Sequence, residues 1–275
     1  MPDMLNSDAL QEDRGRWSSQ ETCCPVVELR HYTLKPHRCD ELIALFEEQF
    51  VEGQEQYALR VIGQFRQRGH PDAFIWLRGF ADMERRRHAL EGFYYGPIWR
   101  EHRTAANDTM LDSDNVLLLK PAPTTAGFQL HLEDRPAMDA PEEATGGLII
   151  ATIYSFAAPV DNPFIAFFIS DVTPVLRASG ATLLAQFVTE PSENTFPALP
   201  VREGEHVFIW FASFADEAGY MSYQTTLAQN QLWNTALAAT LQGWLAKPEE
   251  VLELLPCRRS LLRHDVHLPV TGSPE

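Results

Sequence analysis

The sequence predicts an α+β protein built from two tandem β-α-β-β-α-β units with antiparallel sheets. Short aromatic and β-branched runs, such as Phe74-Ile75-Trp76-Leu77, alternate with segments of helical period. One stretch also recurs. Ala73-Phe-Ile-Trp-Leu-Arg-Gly-Phe-Ala-Asp82 returns as Val207-Phe-Ile-Trp-Phe-Ala-Ser-Phe-Ala-Asp216. Flanking pieces recur in the same order. Val27 to Tyr32 maps near Ile149 to Tyr154, Val61 to Phe65 near Leu183 to Phe187, Trp99 on Trp233, and Asn115 to Leu119 near Glu250 to Leu254. Two copies of one unit, each about 100 residues long, fit the usual domain range.

Residues 1–21 are polar and acidic and read as a disordered leader. The first domain, 22–122, opens with an alternating strand from Val26 to Leu34. Val27, Leu29, His31 and Thr33 fall on one face, and Glu28, Arg30, Tyr32 and Leu34 on the other. Asp40 is the expected cap of a helix with apolar positions Leu42, Ile43, Leu45, Phe46 and Phe50. A second strand follows from Leu59 to Arg66, then a turn over Gly69 to Asp72 and a third strand from Phe74 to Phe80. Asp82 caps a second helix, Met83 to Phe93, with Arg85, Arg86 and Arg87 as its charged face. Gly96-Pro97 is a chain reversal that puts His102 at a helix end or in the turn after it. Val116 to Leu119 is the fourth strand. This order is the ferredoxin-like, or split-βαβ, arrangement.

Residues 123–146, rich in Pro and acids, read as a linker in which Phe128, Leu130 and Leu132 could dock on a domain or pair at a sheet edge. The second, degenerate copy spans 147–262. Its first helix should be irregular near Pro174. A Pro-rich insert, Glu190 to Glu205, separates its middle strands and is of a length typical of binding or interface loops. Residues 263–275 read as a tail.

The formal net charge of −16 argues against a nucleic-acid surface or an anionic membrane as partner. Most arginines fall in the first copy. Four cysteines without zinc-like spacing point to a reducing, cytoplasmic setting, with Cys23 and Cys24 read as free thiols. No apolar run spans a bilayer, and no apolar leader segment is present. A single unit would leave one sheet face bare, so the two sheets are expected to pack face to face, within the chain or as a homodimer. The inside of that barrel is the expected small-molecule pocket.

The segments VVELRHYTL, VIGQFR, FIWLRGFADMERR, FYYGPIWREHRTAANDTM and SDNVLLLKP resemble the NIPSNAP family. The pair of units resembles a tandem member of the dimeric α/β-barrel superfamily. The likeness covers nearly all of Val26 to Pro121. The second copy keeps only Phe208-Ile209-Trp210, Phe214 and Trp233. The resemblance implies the fold and a pocket between sheet and helices. It does not imply a reaction, because the superfamily includes haem enzymes, cofactor-free monooxygenases, cyclases, isomerases and proteins that only bind.

Several residues of the first copy are candidates for chemistry. His102 is either a general acid/base or a ring packed on Trp99. Arg103 either binds a carboxylate or enolate oxygen or pairs with Glu101 or Asp108. Gln64 and Arg66 share a strand face, as do Trp76 and Arg78. With Tyr32 they form either an anion-binding wall or a cross-strand ionic ladder. Tyr94 and Tyr95 either donate to an oxyanion or pack as aromatics, and Trp99 lines the same wall. A haem would need an axial His, and His31, His102 and His206 show no pattern that demands iron. No cofactor or metal is expected. The reading is a cofactor-independent isomerase, cyclase or monooxygenase acting on a small anionic or aromatic metabolite. The alternative is a non-catalytic binding or assembly module.

Overall fold

The computed structural model describes residues 23–140 and 147–264. The leader, residues 141–146 of the linker and residues 265–275 of the tail lie outside the described residues. Eight strands form one closed, wholly antiparallel barrel in the order β1-β3-β2-β8-β5-β7-β6-β4, with β4 pairing back on β1. The N-terminal half supplies β1 (Val26–Leu34), β2 (Arg60–Gln67), β3 (His70–Phe80) and β4 (Met110–Pro121). The C-terminal half supplies β5 (Leu148–Ser155), β6 (Thr182–Thr189), β7 (Val207–Phe214) and β8 (Glu250–Pro256). Two seams join the halves, β2 to β8 and β4 to β6. Closure is therefore within one chain, and the barrel has no strand edge for a second copy.

Alternation along each strand sends every second side chain inward. The interior cluster draws on all eight strands and on no helix, with Val27, Leu29, Ile75, Leu77, Ile209 and Phe211 among its members. Phe128 and Leu130 from the segment after β4, and Leu261 and Leu262 from the segment after β8, complete the plug. The expected pocket inside the barrel is thus corrected: the barrel holds packed side chains.

Helices coat the outside. In the N-terminal half α1 covers 39–55, α2 is Met83–Tyr94 and α3 is Pro97–Thr109. In the C-terminal half α4 covers 162–178, α5 is Glu217–Gln229 and α6 covers 233–244. Separate apolar clusters sit between helices and sheet in each half. Asp82 caps α2 as expected, accepting from Arg85 N at 2.6 Å. Asp40 does not cap α1. Its carboxylate is taken by the Arg66 guanidinium, and Arg38 stands at the N-cap. Arg86 leaves the expected charged face of α2 and is fully buried, because it has a carboxylate to meet beneath the helix. α3 starts with Pro97 at its first turn and continues to Thr109, so His102 lies mid-helix rather than at an end.

The expected irregularity near Pro174 is a π turn, Phe168–Val172, inside α4. A matching π turn, Phe46–Phe50, interrupts α1, where no proline follows. The same irregularity thus occurs in both halves and does not depend on Pro174. The turn between β2 and β3 is also tighter than expected. Gly69 takes φ 77° and β3 already begins at His70.

Cys23 and Cys24, read as free thiols, are joined by a disulfide of S–S 2.08 Å. Both are buried against the barrel interior. A Cβ at Gly79 would lie 2.3 Å from Cys24 Cβ and Sγ, so the close approach requires glycine there. Among the described residues no helix is long and apolar enough to cross a membrane.

Candidate functional site

On the outer face of the N-terminal sheet, directly opposed residues form rungs. One rung is Val61, Arg78, Glu28 and Leu118, and the next is Gln64, Trp76, Arg30 and Val116. Helices α1 and α2 close over them and bring in Gln54, Arg86 and Tyr94. Glu28 is the hub. Its Oε2 accepts from Arg30 Nη1 at 2.7 Å and from Arg78 Nε at 2.8 Å, and its Oε1 accepts from Arg86 Nε at 2.6 Å. Glu28, Arg78 and Arg86 are each 0% exposed. Taking one ion out of water costs on the order of several kcal/mol, so a buried group of four must be closely held.

The guanidiniums have further partners. Arg78 Nη1 donates to Gln54 Oε1 at 3.0 Å and to the Tyr94 hydroxyl at 3.3 Å. Arg30 Nε donates to the Tyr32 hydroxyl at 2.9 Å. Aromatic rings flank the charge: Arg78 lies 5.0 Å from the Trp76 ring and 5.6 Å from the Tyr94 ring, and Arg30 lies 5.4 Å from the Tyr32 ring.

Three guanidiniums share one carboxylate, so positive charge is in excess. The Nη2 groups of Arg78 and Arg86 have no hydrogen-bond partner among the described residues, and neither do the Gln64 amide atoms or Trp76 Nε1. Buried polar groups in folded proteins are almost always paired, so this concentration of unpaired atoms in one cluster is unusual. Electrostatics agree. Burial would raise the Glu28 carboxyl, but Arg78, Arg86 and Arg30 together draw it far below the ordinary carboxylate range. Burial pushes Arg86 below its usual value. Glu28 opposes that shift, and the like charges of Arg78 and Arg30 add to it. Burial likewise raises the Tyr32 hydroxyl, against the pull of Arg30.

The insert of the C-terminal half reaches across to this site. Asn194 Oδ1 and Thr195 Oγ1 accept from Arg86 Nη1 at 3.0 and 3.1 Å. The Phe196 ring stacks on Tyr94 at 5.9 Å and meets Tyr95 at 5.7 Å.

The structure gathers Tyr32, Gln64, Trp76, Arg78 and Tyr94 of the expected residues, with Trp99 packed on Tyr94 at 4.9 Å. It places the others elsewhere. Arg66 is exposed and paired with Asp40, Tyr95 is 65% exposed, and Arg103 is exposed. His102 sits half-buried, its ring edge-on to Phe50 at 6.3 Å. Sequence reasoning missed Glu28, Arg30, Gln54 and Arg86. The parity that put Glu28, Arg30 and Tyr32 on one face of β1 was visible, and charge on a strand central to its own half was the signal. Among the described residues no group of three or more His, Cys, Asp or Glu could hold a metal ion.

A closed antiparallel α+β barrel with a buried polar cluster under the helices of one half defines the class of protein. Within its N-terminal half, residues 27–125 match the NIPSNAP family model. Solved structures extend the likeness to both halves. A protein from Fusobacterium nucleatum, named as a candidate monooxygenase, aligns at a TM-score of 0.50 and 9% identity, covering 86% of this chain and 93% of that one. A protein from Lactobacillus acidophilus with the same designation aligns at 0.50 and 12%, covering 86% and 94%. A NIPSNAP domain protein from Burkholderia xenovorans aligns at 0.33 and 18%, covering 35% and 93%. At these identities the likeness concerns the fold alone. No curated protein matches.

Proposed function

We propose that the N-terminal half binds a small organic anion between the outer face of its sheet and helices α1 and α2. The observation that carries this reading is the pair of unpartnered Nη2 groups on Arg78 and Arg86, in a site where three buried guanidiniums share Glu28. An anion would supply both the missing acceptors and the missing charge. The flanking Trp76, Tyr32 and Tyr94 rings favour a planar body.

The chemistry such a site supports without a cofactor is proton transfer on the bound anion. Guanidiniums hold an enolate or phenolate oxygen. The Tyr94 hydroxyl, beside Arg78 Nη1, relays a proton from one atom of the ligand to another, so an isomerisation or cyclisation consumes nothing else. A monooxygenase reaction adds dioxygen as oxidant. The carbanion form attacks it, one oxygen stays as a carbonyl, and the other leaves as water with the two protons of the ligand's methylene. His102 is the second candidate for the proton shuttle. We also read each half as one ferredoxin-like unit and the chain as their tandem duplication. The matched π turns and the matched strand orders, β4-β1-β3-β2 and β8-β5-β7-β6, support this.

A non-catalytic binding module would use the same cluster and stop at binding. Binding is tested with formate, acetate, phosphate and sulfate against the wild type and Arg86→Gln, following the unfolding temperature. At least one anion should raise it in the wild type and lose that effect in the variant. Equal responses from both proteins would end the binding reading.

A further inference from the structure

The three-residue tip of the insert has the chemistry of what the site would hold. Asn194 and Thr195 place two neutral oxygens on one edge of the Arg86 guanidinium. The next residue lays a flat aromatic ring against Tyr94 and Tyr95. The tip is tied by side-chain bonds rather than by a sheet ladder. Asn194 Nδ2 donates to Leu199 O, Thr195 Oγ1 donates to Met83 O, and Phe196 N donates to Asn194 Oδ1. Space lies beside the insert. A cavity of about 380 Å³ is lined by Leu118, Lys120, Val188, Pro191 and Arg202, and another of about 430 Å³ by Glu193, Asn194, Pro197 and Pro200. Asn194 lines the second of these, so the insert has open space on that side, while the Phe196 ring is buried against the N-terminal half.

We infer that Asn194-Thr195-Phe196 is a built-in stand-in for the ligand, and that the ligand is an aromatic carboxylate which displaces it. The carboxylate takes the Arg86 edge held by Asn194 and Thr195 and extends to the unpartnered Nη2 groups of Arg78 and Arg86. The aromatic body takes the place of the Phe196 ring against Tyr94. A charged acceptor on a guanidinium outcompetes a neutral amide and a hydroxyl. Displacing the tip nonetheless costs affinity, because the binding-competent state is only part of the population. This inference rests on the proposed anion site, and it adds the ligand's class and the means of access.

The test uses 2-naphthoate as probe and 2-naphthylmethanol as its uncharged control, titrated calorimetrically into the full-length wild type, Phe196→Ala, Asn194→Ala/Phe196→Ala and Arg86→Gln. Removing the tip's mimicry should tighten naphthoate binding about tenfold, as expected when a competing closed state is depopulated. Arg86→Gln should abolish it, and the alcohol should bind none of the proteins measurably. In the wild type, saturating naphthoate should speed amide hydrogen exchange over residues 193–199, a readout that needs no variant to fold. Unchanged or weaker binding by the tip variants, with exchange slowed or unaltered, would overturn the stand-in while leaving the anion site intact. Absence of naphthoate binding to every protein would overturn the aromatic assignment. The small inorganic and aliphatic anions then judge the site on their own.

Discussion

The two halves of the barrel share a frame and differ in what the frame carries. Glu28 faces Arg78 across β1 and β3, while the equivalent pair in β5 and β7 is Ile150 and Ala212. Arg30 opposite Trp76 becomes Thr152 opposite Trp210, and Gln64 becomes Gln186 beside the same tryptophan. Arg86, four residues after the capping Asp82, becomes Tyr220, four after the capping Asp216. Aromatic residues kept in both halves, Phe74 and Phe208 or Trp76 and Trp210, therefore serve the layer between sheet and helices. The charges, present in one half only, are not needed to build that layer. Replacing a buried ionic cluster with apolar side chains is often neutral or stabilising, and the apolar half shows that the layer packs without these charges.

The comparison breaks most visibly at its hub. Glu28→Gln leaves three buried guanidiniums without a carboxylate, and should cost about 3–5 kcal/mol in urea unfolding. A fourfold exchange to the residues of the other half, Glu28→Ile, Arg30→Thr, Arg78→Ala and Arg86→Tyr, should recover most of that loss and abolish anion-dependent stabilisation. A fourfold variant as unstable as Glu28→Gln would mean that the halves are not interchangeable. Acid sharpens the contrast further. The folded state holds the Glu28 carboxyl far below its ordinary value, whereas the unfolded chain titrates it near about 4.3. Its contribution is therefore complete above that unfolded value and is lost as pH falls towards the folded one. Wild-type stability should drop more steeply than that of the fourfold variant below about pH 4. Equal slopes would remove Glu28 from the acid response.

Smaller effects separate the residues of the site from their neighbours. Tyr94→Phe should leave unfolding within about 1 kcal/mol, since it removes one hydroxyl bound to Arg78. It should also lower any turnover more than His102→Ala does. The reverse order would return the proton shuttle to α3. Arg66→Ala removes an exposed pair with Asp40 and should shift stability by less than about 1 kcal/mol, with anion binding unaltered.

Much of the frame was legible because its signals are local. Repeated Phe-Ile-Trp runs gave β3 and β7, and Asp82 gave the start of α2, since its side chain bonds a backbone N–H three residues on. Arg78 and Trp76 were found through strand parity. Glu28 and Arg86 were not, because a glutamate and an arginine are ordinary surface residues until the opposing strand and the helix above are known. Arg66 shows the converse: its parity was right, but it stands near the end of β2, where water reaches it. The filling of the barrel was also hidden. Phe128 lies in the linker, and Leu261 and Leu262 follow the last strand of the second copy, and nothing local says that they turn inward.

Closure of the barrel inside one polypeptide has a consequence for stoichiometry. A barrel made from two identical subunits must carry matched sites related by a twofold axis, with the prospect of communication between them. Here the two halves of the barrel belong to one chain and differ in sequence, so that symmetry is absent. One chain should take up one equivalent of ligand, along a simple hyperbola with a Hill coefficient of about one.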